Sequence, residues 1–107
     1  MEHKIENDSV SKKMEYCRKC AKLSRERLSE MLGIEKSVLE DCEEGRALPR
    51  IKCLLDFYRI FNLEFDSLID NEFTLADFEK QYTPEHCANY TFPLEYLDSA
   101  KQTEDEI

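Results

Sequence analysis

The chain has 107 residues, 41% of them apolar, only two glycines and three prolines, and a formal net charge of −9. That length suits one ordinary domain with an appendage, with apolar content enough for a core and few of the residues that punctuate strands and turns. The net acidity argues against non-specific binding to nucleic acid or anionic membrane, and no apolar run is long enough to span a bilayer.

Residues 1–9 read as a loose polar arm, with Ser9 as N-cap of a helix beginning near Val10. Val10, Met14, Cys17 and Ala21 recur at spacings of four, three and four, one face of that helix. At Leu23-Ser24 the chain stops and restarts, Ser24 capping a second helix with Glu26 in its first turn. Leu28, Met31 and Leu32 form its inner face, and Gly33 ends it, because a helix terminus with φ > 0 suits glycine. Ile34 sits in the turn. Val38, Leu39 and Cys42 mark the inner face of a third helix, which stops at Gly45.

A loop from Arg46 to Arg50, holding Pro49, follows. Ile51, Leu54, Leu55, Tyr58 and Phe61 then mark a fourth helix, with Asn62 as a left-handed C-cap. Leu63, Phe65, Leu68 and Ile69 read as a short fifth helix with Asp66 near its start. The predicted core under these five helices is Leu28, Leu32, Leu39, Leu54, Leu55 and Phe61. Beyond Asn71 the texture changes, and six of the eleven aromatics lie there. Thr74 caps a helix through Tyr82, with Leu75, Phe78 and Tyr82 inward. Thr83-Pro84 and Phe92-Pro93 each read as an N-cap and first helical residue, Leu94 and Leu97 following the latter. Residues 71–100 are thus an aromatic helical extension, a possible dimerisation or partner surface, and 101–107 an acidic tail. Nothing alternates with period two for long enough to form a strand, so the fold class is all-α.

The charge is unevenly spread: residues 1–13 balance, residues 14–70 sum to −2, and residues 71–107 to −7. The five cysteines are an odd number without a regular framework. They suit a reducing cytosol rather than a secreted disulfide scaffold, and the start MEHKIENDSV shows no signal region. A cytoplasmic chain is therefore expected.

The run LSRERLSEMLGIEKSVLEDCEEGRALP, residues 23–49, resembles the helix-turn-helix of the Cro and lambda-repressor-like family, also called XRE type. Leu23, Ser24, Leu28, Leu32, Gly33, Ile34, Leu39, Glu43, Gly45 and Pro49 carry the likeness. It extends to the preceding helix through Arg18 and to the following two through Leu54, Leu55, Phe61, Leu63, Asp66 and Leu68, covering about residues 10–70. Ser29 stands where the family keeps alanine at the close contact of the two motif helices. The resemblance implies a five-helix lambda-repressor-like domain that anchors its second helix on phosphate and lays its third in the major groove.

By that resemblance Ser24 and Arg25 stand at phosphate-contacting positions, Lys36, Ser37 and Asp41 at base-reading positions, and Arg46 and Arg50 beside the loop that approaches the DNA backbone. Glu43 resembles the family's structural glutamate, paired here with Arg18. The implied protein is a sequence-specific transcriptional regulator that binds double-stranded DNA as a homodimer, because two half-sites multiply the specificity of one helix. Acidity of the third helix stands against this: Glu35, Glu40, Asp41, Glu43 and Glu44 face a single Lys36 within residues 35–45. Asp41 can accept a hydrogen bond from a cytosine amino group, but Glu35 and Glu44 oppose phosphates within a Debye length of about 8 Å. A second reading follows, an antirepressor- or antitoxin-like interaction module whose acidic third helix and C-terminal segment bind a basic protein.

Other chemistry finds little footing. Cys17-Arg18-Lys19-Cys20 has CxxC spacing, but a zinc site needs two more ligands from Cys42, Cys53, His86 or Cys87, and a redox pair normally sits at a helix N-terminus. Cys17 falls on an apolar face, as do or nearly do Cys42 and Cys53, so buried free thiols are the simpler reading. His86 and Cys87 are adjacent and point apart on a helix. No phosphate loop, nucleophile elbow or paired-carboxylate setting is visible, so neither enzymatic activity nor a metal or other cofactor is expected.

Overall fold

The computed structural model describes residues 7–91, with side chains from Ser9 onward. Seven helices follow one another, with no strand among the described residues: α1 Asn7–Cys20, α2 Arg25–Leu32, α3 Lys36–Glu43, α4 Ile51–Ile60, α5 Phe65–Ile69, α6 Leu75–Gln81 and α7 Pro84–Ala88. The expected helix start at Phe92-Pro93, with Leu94 and Leu97, lies outside the described residues, as does the acidic tail.

The boundaries follow from local chemistry. Ser24 Oγ accepts from the Arg27 amide at 3.0 Å and caps α2, while Thr74 and Thr83 cap α6 and α7 in the same way. Gly33 closes α2 in the left-handed conformation at φ 70, and Asn62 does the same beyond α4 at φ 56. These ends fall where turn chemistry places them. The start of α1 does not: the helix begins at Asn7, so Ser9 lies inside it rather than at its cap. Lys22 is also left-handed, at φ 60. There the backbone must reverse between α1 and α2, and no glycine is present to take the strain.

One apolar cluster runs from Val10 on α1 to Cys87 on α7 and includes Leu28, Leu39, Phe57, Ile60, Phe61, Leu68 and Phe78, all without exposed surface. The extension after Asn71 is part of this cluster. Phe78 packs edge-on against Tyr16 of α1, and the Tyr16 hydroxyl donates to the Tyr82 carbonyl at 2.7 Å.

On α4 the buried stripe differs from the predicted one. Cys53, Leu54, Phe57 and Ile60 face inward; Leu55 is half-buried and Ile51 is 63% exposed. The stripe is turned by about one residue because Phe57 and Ile60 fill the centre, which leaves the first turn projecting past the core. Val38 on α3, expected inside, is 44% exposed, and only Leu39 and Cys42 of its predicted face are buried.

Lys13 was not expected in the core at all. It is fully buried, donating to the carbonyls of Ser67 at 2.9 Å and Asp70 at 3.0 Å, with its ammonium over the rings of Phe73 and Phe78. Two carbonyls at the C-terminal end of α5 and two aromatic faces replace part of its lost hydration. Burial pushes its pKa down, partly offset by the nearby Asp70 carboxylate.

Candidate functional site: the exposed end of α3 and its ion-pair chain

The α2–α3 pair is joined by a tight turn in which the amides of Gly33 and Ile34 donate to carbonyls of α2 at 3.2 and 3.0 Å. Ser29, buried where α2 meets its neighbours, turns its hydroxyl back onto the Glu26 carbonyl at 2.8 Å, so a small side chain keeps the approach open without an unpaired polar group.

Glu43 locks the far end of α3. Its carboxylate has no exposed surface and accepts from Arg18 Nε at 2.8 Å and from Arg25 Nε at 3.0 Å. Arg18 also donates through Nη1 to the Leu23 carbonyl at 3.0 Å, tying the end of α1 to the start of α2. The Arg18–Glu43 pairing expected from sequence is present. The second partner, Arg25, is a surprise, because the spacing of charges gave no sign that two arginines share one carboxylate.

From Glu43 the chain of charges continues outward. Arg25 reaches Glu44 at 3.3 Å, Glu44 in turn meets Arg46, and Arg46 donates through Nη2 to Asp41 at 2.7 Å. Arg18, Glu43, Arg25, Glu44, Arg46 and Asp41 thus alternate in sign as one network, with zero net charge. The neighbouring carboxylates raise the pKa of Arg25, Glu43 foremost, and that of Arg46, Asp41 foremost. Arg46 in turn holds the Glu44 carboxyl below the usual range. Three of the acids that crowd α3 and its C-cap therefore serve as partners for arginines.

The sequence-predicted site residues thus fall into two sets. Ser24 is spent on its cap, while Arg25, Asp41 and Arg46 belong to the network. Lys36 and Ser37 are exposed in the first turn of α3 and Arg50 at the N-cap of α4; neither Lys36 nor Arg50 has an ion-pair partner among the described residues. Glu35 is the N-cap of α3 but its carboxylate makes no cap bond, as expected for a residue longer than the preferred Ser, Thr, Asp or Asn.

Beside Lys36 runs a cleft of about 630 Å³ between α3 and the segment leading into α4, lined by Leu32, Ile34, Val38, Leu48 and Cys53 among others. Val38, Leu48 and the nearby Ile51 are the exposed large hydrophobic side chains of the described residues. Sequence periodicity missed this, because it assigned Val38 and Ile51 to the interior.

No group of three or more His, Cys, Asp or Glu among the described residues is arranged to hold a metal ion, and no described helix is long and apolar enough to cross a membrane. Comparison with protein-family models, with curated proteins and with solved structures finds no match to the chain.

Proposed function

We propose that the protein is a sequence-specific DNA-binding regulator of the lambda-repressor-like type, working as a homodimer with α3 as its major-groove helix. The observation that supports this best is the exposed start of α3. Lys36, Ser37 and Val38 stand clear of the core on a helix fixed from behind by Arg18 and Arg25 through Glu43. A lysine donates to guanine edges, a serine hydroxyl bonds to more than one kind of base edge, and an apolar side chain packs on a thymine methyl, so these three side chains are a coherent base-reading set. Arg50 is available for phosphate.

The test is binding of labelled duplexes from a random-sequence pool, followed by selection of the retained fraction. The regulator reading expects enrichment of a site with two related halves. It also expects Lys36→Ala to weaken the selected site by about 1–3 kcal/mol if Lys36 reaches a guanine. Glu44→Gln should tighten every duplex alike, because losing a repelling charge carries no sequence information.

The charge network favours a second reading. Arg25 and Arg46 already have carboxylate partners, and Asp41, the last acid of the network, lines the apolar cleft. In this reading the face binds a basic protein partner, and Glu44→Gln and Asp41→Asn slow its capture at low salt. No retained duplex in any variant, with capture of a basic partner lost in Glu44→Gln, would replace the first reading by the second.

A further inference from the structure

Exposed aliphatic side chains gather on one face, around the cleft between α3 and the start of α4. Val38 is 44% exposed, Leu48 45% and Ile51 63%. Val38 and Leu48 line the cleft, whereas Ile51 stands outside it, on the first turn of α4 between the lining residues Arg50 and Lys52. The face thus carries a hole of about 630 Å³ and, next to it, an apolar knob. A contiguous apolar patch left in water forgoes the stabilisation that burial brings, and such patches mark interaction surfaces.

The two walls of the cleft differ in charge. Glu35 lines it from the N-cap of α3 and Arg50 from the N-cap of α4, both exposed. Neither is ion-paired with the other or with any other described residue. The remaining charged lining residues are engaged within the chain, Asp41 by Arg46 at 2.7 Å and Lys52 by Asp56 at 2.9 Å. The cleft therefore offers one acid on one wall and one base on the other. A strongly basic or strongly acidic partner meets a like charge on one of them. A second copy turned by half a rotation does not. It brings its base to this acid and its knob to this hole, because a twofold interface joins a patch to itself.

We propose that two copies of the chain pair cleft to cleft across a twofold axis, Ile51 of each entering the cleft of the other and Glu35 of each facing Arg50 of its partner copy. The aliphatic contact of Ile51 with Val38 and Leu48 supplies the attraction. The two ion pairs lie at the rim, where they set register and turn away wrong partners more than they add affinity. The face is small for a permanent interface, so the pair forms at high protein concentration and parts on dilution. This inference goes beyond the regulator reading and does not need it. On that reading Val38 serves both surfaces, so the pair covers the start of α3, and a duplex competes with the second copy for it.

The experiment follows sedimentation velocity of the full chain, without DNA, from about micromolar to about millimolar concentration. Wild type doubles in mass as concentration rises. Glu35→Arg sets cation against cation and Arg50→Glu sets acid against acid, so each variant alone pairs at least about tenfold more weakly. Mixed in equal amounts, the two variants pair with each other as wild type does, since each then meets its opposite at both rims. Ile51→Ser, which removes the knob, weakens pairing likewise. Glu35 makes no cap bond and both charged positions are exposed, so these variants keep the fold, and recovery in the mixture shows it directly. Should the chain also pair through another face, the cleft pair is the further doubling that the single variants lose and the mixture restores. A wild type without that doubling, single variants that associate as wild type does, or a mixture no better than its components would each overturn the proposal. No outcome depends on duplex binding, so this proposal and the regulator reading fail separately.

Discussion

Glu43 is a carboxylate without exposed surface, held by one guanidinium that is 11% exposed and another that is 25% exposed. A buried charge is tolerated only when its partners replace water, so removing Arg18 leaves Glu43 with a single, more solvated partner. A double-mutant cycle of Arg18→Ala and Glu43→Gln should show coupling of about 1 kcal/mol or more, measured by denaturant unfolding. Coupling near zero would reduce the pair to ordinary surface charges.

Lys13 offers a second test at this scale. Its pKa is lowered in the fold, so between that lowered value and about 10.4 the unfolded chain binds more protons than the native one. Stability therefore rises with pH across that window, and below it the full penalty of the buried charge is present. Lys13→Met lacks the group, so the stability difference between wild type and Lys13→Met should shift in favour of wild type from pH 7 to pH 10. A difference constant with pH would mean that Lys13 titrates alike in both states.

At the scale of elements, the helix ends separate two kinds of left-handed residue. An alanine Cβ at Gly33 would meet nothing within 4 Å, so the cost of Gly33→Ala is that of the backbone alone, about 1–2 kcal/mol. Lys22 already bears such strain at φ 60, and Lys22→Gly should recover up to about 1 kcal/mol, read as a raised thermal midpoint. Capping and turn residues were legible in the sequence for this reason: Ser24, Gly33, Asn62, Thr74 and Thr83 act through bonds to their own neighbours. The buried stripe of α4 was less so, because Ile51 and Phe57 are equally apolar and only the tertiary packing decides which turns inward. Lys13 was not legible, since the carbonyls that receive it lie at the end of another helix far away in sequence. Arg18 was legible only as one half of a pair.

Across the whole molecule, the apolar cluster is continuous from α1 to α7, with Tyr16 and Phe78 bridging the early helices and the extension. Unfolding should therefore be one cooperative transition, with far-ultraviolet and aromatic signals coincident. Leu39→Ala at one end of the cluster should lower its stability by about 2–5 kcal/mol, and Phe78→Ala at the other by about 3–5 kcal/mol. Two separated transitions, or a Phe78→Ala variant that melts only the extension, would show that the segment after Asn71 folds apart from the rest.

The alternating network of Arg18, Glu43, Arg25, Glu44, Arg46 and Asp41 has a consequence for selectivity among anions. Each carboxylate is a tethered competitor, present beside its guanidinium at an effective concentration of about millimolar or more. A small free anion must win that contest one guanidinium at a time, and at ordinary concentrations it loses. A polymer of regularly spaced phosphates engages several positions at once, and its local concentration after the first contact rivals that of the tethered acids. On the regulator reading proposed above, the acids of α3 then act as a threshold that admits polyanions and rejects monomeric ones, and inorganic phosphate should fail to compete with the selected duplex.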